Sequence, residues 1–62
     1  MTLDEKATRL RELLNSYVIA MNNGEAHNAR NAAYEMLQIN QALYYEACTA
    51  GREQLRREGR QS

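Results

Sequence analysis

The chain has 62 residues, with eight Lys/Arg set against eight Asp/Glu and a formal net charge of zero at pH 7. That is too short for more than one domain. One Cys and one His are too few for a disulfide framework or a four-ligand zinc site, and neutrality argues against a binder driven by charge onto nucleic acid.

No run of about 20 apolar residues occurs, so no membrane span is expected. The opening MTLDEKATRL has neither a basic n-region nor an apolar h-region, so no secretory signal is read there. With the lone Cys48, these features predict a cytoplasmic protein.

The first helix is predicted over about residues 3–22. Thr2 is placed to cap it, and Glu5 three residues later completes a capping box. Asp4 and Glu5 suit the positive end of the helix dipole. Leu3, Ala7, Leu10, Leu14, Tyr17 and Met21 then recur at alternating spacings of four and three, which marks one face of a helix. Leu13 and Val18 widen that stripe. Ile19 stands opposite it.

Asn22, Asn23 and Gly24 form the clearest turn signal in the chain. Gly or Asn readily takes the left-handed conformation that ends a helix, and Asn can also cap the next one. So short a connection makes the two helices antiparallel neighbours. Gly24 and Ala29 have the spacing of a tetratricopeptide turn, but the rest of that pattern is absent.

The second helix is predicted from about 25 to about 57, followed by a frayed basic tail over 58–62. Only Gly51 weakens it, by about 1 kcal/mol. Its expected seam is Ala26, Ala29, Ala33, Met36, Asn40, Leu43, Ala47 and Ala50. Plotted at 100° steps, its apolar residues occupy about half the circumference. One neighbouring helix covers a stripe about 100° wide. Its length also exceeds that of the first helix, so residues from about Tyr45 onward overhang the hairpin. A chain near 60 residues buries only about 60% of its unfolded surface, and ordering costs on the order of 1.5 kcal/mol per residue.

The expected fold is therefore all-α: an antiparallel two-helix hairpin with a longer second helix, dimerising into a four-helix arrangement. The expected dimer core is Leu10, Leu14, Tyr17, Met36, Leu37, Ile39, Asn40, Leu43, Tyr44 and Ala47. A buried Asn40 would set register. Parallel and antiparallel packing of protomers both remain open.

Tyr34 and Tyr45 fall on the outer face, eleven residues apart and so three turns apart. Tyrosine is frequent at interface hot spots, so both are candidates for contacting a partner. Arg52 and Arg56 are further candidates, repeated at Arg60 with Arg57 beside them. Such a cluster either solvates a helix end or grips an acidic surface or phosphate. Four Arg against two Glu leave residues 51–62 at only +2.

No catalytic constellation is visible, and no cofactor or metal is expected. Cys48 and His27 lie 21 residues apart on one predicted helix, about 31 Å, too far for a dyad. His27 reads as a surface residue and Cys48 as a small buried hydrophobe. No Gly-rich phosphate loop, HExxH or GxSxG pattern occurs.

The capped start at Thr2–Glu5, the Asn22-Asn23-Gly24 turn and the long second helix together resemble, in size and plan, small phage-encoded helical hairpins that inhibit host regulators. The quorum-sensing anti-activators of Pseudomonas phages are the type. The resemblance spans the chain but carries over no functional residue. It implies a non-enzymatic inhibitor in the host cytoplasm, with a bacterial transcription regulator or a motor ATPase as protein partner. An alternative is a dimeric RNA-binding hairpin of the plasmid-copy-control type, which would use Lys6, Arg9, Arg11, Arg30 and the C-terminal arginines on phosphate. Another is a structural assembly subunit. Neutral charge and the lack of stacking aromatics among the basic residues weigh against RNA.

Overall fold

The computed structural model describes residues 1–61, with side chains as far as Gly59. Helix α1 spans Leu3–Asn22 and α2 spans Ala26–Gln61, with no strand among the described residues. Helix α2, with 36 residues, is about 54 Å long at 1.5 Å per residue. It sets the long dimension of a molecule measuring 57 × 18 × 15 Å.

Local chemistry accounts for the ends. Thr2 is extended, and its hydroxyl accepts the Glu5 N–H at 3.2 Å. That satisfies one of the amides a helix start leaves without a partner. At the other end the Glu25 N–H reaches the Ala20 carbonyl at 2.8 Å and the Gly24 N–H reaches that of Met21 at 3.2 Å. This pair is a Schellman motif, and it needs a left-handed residue between. Gly24, at φ +73°, supplies it. Asn23 closes α1 rather than capping α2. The carbonyl of Glu25 accepts the Ala29 N–H at 3.1 Å, and the Glu25 carboxylate takes the Asn28 side-chain amide at 2.6 Å.

The helices meet along a narrow seam. Leu13, Ala20, Ala29 and Ala32 are buried, Ala29 to 2% exposure. Leu10, Tyr17, Met36, Ile39 and Leu43 are half-buried along the same lines. The inward stripes are thus Leu10, Leu13, Tyr17 and Ala20 on α1, and Ala29, Ala32, Met36, Ile39 and Leu43 on α2. Three of the four buried residues are alanines near the turn, which lets the backbones approach closely there.

This corrects the roll of both helices. Leu3, Leu14 and Met21 were expected on the α1 seam, yet all three are more than half exposed. Asn40, expected on the α2 seam, is exposed, and Ile39 faces inward instead. Both stripes were broader than one contact can cover, so the sequence offered several rolls. Small Ala20 and Ala29, both buried, suit the tight end of a hairpin better than Met21 would.

Cover extends further than expected, because Lys6 of α1 bonds to Glu46. Tyr45 and Ala47 are exposed as expected, and from Thr49 to Glu58, the overhang proper, every side chain is exposed. Helix α2 continues past the expected end at residue 57 to Gln61. Ser62, in the expected frayed tail, lies outside the described residues.

Candidate interaction surface

Two flanks remain beside the seam, and they differ in kind. On one, Arg9 Nε donates to Glu35 Oε2 at 2.6 Å, Arg9 Nη1 lies 3.5 Å from Glu12 Oε2, and Lys6 pairs with Glu46. The Arg9–Glu35 and Lys6–Glu46 bonds tie α1 to α2 across one broad face, while Arg9–Glu12 lies within α1. The hydrogen bond from Arg9, reinforced by its charge, holds the Glu35 carboxyl below the usual carboxylate range. The same bond raises the already high pKa of Arg9. Both side chains are close to half exposed, so the pair aligns the helices more than it stabilises them.

Since Arg9 and Glu35 meet, their flanks share a face, and the flanks on the far side of each seam share the other. That second face carries Leu3, Ala7, Leu14, Val18 and Met21 from α1, at 60–120° from the inward direction by the roughly 100° step per residue. From α2 it carries Ala33, Leu37, Asn40 and Tyr44. Leu14 is 55% exposed, Leu37 53% and Tyr44 70%. Ala7 and Ala33 are small, so a shallow apolar groove runs between the helices.

The surface area measures the surplus. A globular protein of this 7.1 kDa mass exposes about 4,100 Å² by the usual scaling. This chain exposes 5386 Å². A continuous patch of several large apolar residues on one face is the mark of an interaction site.

The ten residues expected in a dimer core divide between these environments. Leu10, Tyr17, Met36, Ile39 and Leu43 lie along the chain's own seam, whereas Leu14, Leu37, Asn40, Tyr44 and Ala47 are exposed. The structure adds Leu3, Val18 and Met21 to the open side. Val18 and Met21 were legible as apolar but not as outward-facing, because the roll of α1 depends on its neighbour. The Arg9–Glu35 and Lys6–Glu46 pairs were likewise invisible until the two helices were placed side by side.

Tyr34 and Tyr45 are both exposed and point away from α1. Tyr45 borders an open depression with Glu46, Thr49, Ala50 and Glu53, and its carbonyl accepts the Thr49 hydroxyl at 3.0 Å. Arg52 and Arg56 are exposed on the overhang; the side chain of Arg60 lies outside the described residues. Among the basic residues named for phosphate contact, Lys6 and Arg9 are engaged by Glu46 and Glu35.

His27 is exposed in the first turn of α2, far along one continuous helix from Cys48. Among the described residues no group of three His, Cys, Asp or Glu side chains is placed to hold a metal ion. Among the described residues no helix is long and apolar enough to cross a membrane. Comparison with protein-family models, with curated proteins and with solved structures finds no match for this chain.

Proposed function

We propose that this chain is a small non-enzymatic interaction module, a homodimer of helical hairpins that binds another protein and inhibits it. The observation that carries the reading is the unequal division of the hairpin: one face is tied by ion pairs, and the other presents exposed Leu14, Val18, Met21, Leu37 and Tyr44. Such a face is a poor solvent boundary and a good interface core. Self-association through it gives the four-helix arrangement, leaving Tyr34, Tyr45, Arg52 and Arg56 outside as the surface for a protein partner. Similarity of plan to phage hairpin inhibitors supports a bacterial transcription regulator as that partner, met in the cytoplasm.

The non-enzymatic part rests on geometry. Cys48 and His27 sit on one rigid helix, so neither can serve the other within a chain. RNA binding is the weaker alternative, because two of its candidate cations already neutralise carboxylates of this chain.

Sedimentation over a concentration series tests the dimer: a two-chain particle is expected, converted to single chains by Leu37→Asp. A wild-type particle of one chain at all concentrations would remove the reading. For the outer surface, Tyr34→Ala with Tyr45→Ala is expected to keep helix content and dimer mass while weakening capture of a partner that the wild type retains.

A further inference from the structure

Resting on the homodimer reading, we infer that the overhang of each α2 lies antiparallel in the apolar groove of a second copy, with Leu55 level with Leu37 of the partner subunit.

The inference starts from a second stripe on α2. Leu37, Gln41, Tyr44, Cys48, Gly51 and Leu55 alternate at spacings of four and three, the heptad rhythm of a helix pair. By the 100° step the stripe stands about 120° from the inward seam, on the apolar side of the hairpin. Its first half forms one wall of the groove, and its second half continues past the end of α1. Leu55 is 69% exposed there, with no element of its own chain beside it.

Order along the stripe distinguishes the two directions of pairing. Antiparallel, the stripe is complementary to itself about a two-fold axis midway between Tyr44 and Cys48. Leu37 then meets the partner's Leu55, Gln41 meets the partner's Gly51, and Tyr44 meets the partner's Cys48, so each large side chain faces an equal or smaller one. A Cβ built on Gly51 would meet nothing within 4 Å, so there is room for a partner's side chain. Parallel, Tyr44 would stack on the partner's Tyr44, and glycine would face glycine across a gap.

Length agrees. Residues 49–61 rise about 20 Å, which matches the part of the groove that α1 walls between Leu3 and Val18. Paired only with each other, two such tails would form less than two heptads holding one leucine, below the length at which isolated helices persist in water. Area agrees as well. Removing the surplus of about 1,300 Å² from each chain makes an interface of about 2,600 Å² in total, within the range of obligate homodimers.

Disulfide trapping tests the register, since a bridge needs Cα atoms within about 7 Å. In a Cys48→Ala background, Leu37→Cys and Leu55→Cys are made singly and together, then oxidised in the assembled protein. The double variant is expected to form a covalent dimer, and neither single variant to do so. With Cys48 retained, Tyr44→Cys is expected to cross-link as well, whereas the wild type is not. Cross-linking of Leu55→Cys alone, or of wild-type Cys48 to itself, would overturn the antiparallel register while leaving a dimer in place. A dimer by sedimentation in which no pair cross-links would overturn it too. A wild-type particle of one chain would remove the dimer along with the register.

Discussion

Residues 26–48 and 49–58 belong to one unbroken helix, yet of the two only the first stretch packs its side chains on α1. Before Cys48, α2 turns Ala29, Ala32, Met36, Ile39 and Leu43 onto α1, and Glu35 and Glu46 are bonded across the hairpin. After Cys48 the same helix shows solvent every side chain as far as Glu58, Leu55 included. The contrast separates helix formation from helix stabilisation. Backbone hydrogen bonding and side-chain propensity form both halves, but packing of an apolar face is what most helices in proteins depend on. From Thr49 to Glu58 the overhang is helix with no apolar face packed on its own chain.

A charge placed in each half of α2 has the largest expected effect. Leu43→Asp puts a carboxylate into the seam. It is expected to cost about 3–5 kcal/mol, more than a hairpin with four buried residues can lose, so helix content and assembly should disappear together. Circular dichroism and light scattering on the same sample check this, and a folded single-chain variant would contradict it. Leu55→Asp in the overhang should leave the hairpin half intact. It should still weaken the dimer by about 1.5–3 kcal/mol per chain, the value of burying one leucine. The readout is a lower melting temperature with a steeper dependence on protein concentration. An unchanged melting curve would show that the overhang is idle.

Substitutions at the turn and the cap have smaller effects. Gly24→Ala forces a side chain into the left-handed region at the turn. It is expected to cost about 1 kcal/mol, as is Thr2→Ala through loss of the cap, and denaturant titration resolves both. The smallest effect concerns pH. The Arg9 hydrogen bond lowers the Glu35 pKa in the folded hairpin. Its contribution is therefore present above the ordinary carboxylate pKa of about 4.3 and is lost as pH falls through the lowered value. Glu35→Gln should flatten the acid side of the melting-temperature profile slightly. An acid limb of the same slope in the variant would show the pair to be inconsequential.

Much of the fold was legible because its signals are local. The Thr2 cap, the Gly24 turn and the unbroken second helix each depend on a few consecutive residues, and the structure shows each of them. The roll of the helices was not legible. Leu13 and Leu14, or Ile39 and Asn40, are neighbours in sequence separated by 100° around the axis, and a stripe half a circumference wide fits several rolls. Which member of each pair turns inward is decided by the other helix. The candidate surface inherits that dependence: its residues could be recognised as apolar from the sequence, but their exposure follows from the roll.

Two helices, the cap and turn that bound the first of them, their unequal lengths and an excess of apolar side chains were all written locally, because caps, turns and periodicity act over a few residues. Which apolar side chains are covered, and which form a common open face, follows from the packing of one helix on the other. That outcome depends on the joint burial of Leu13, Ala20, Ala29 and Ala32, and on the ion pairs of Arg9 with Glu35 and Lys6 with Glu46. Those contacts join residues far apart in the chain, and no local pattern encodes the angle at which two helices meet.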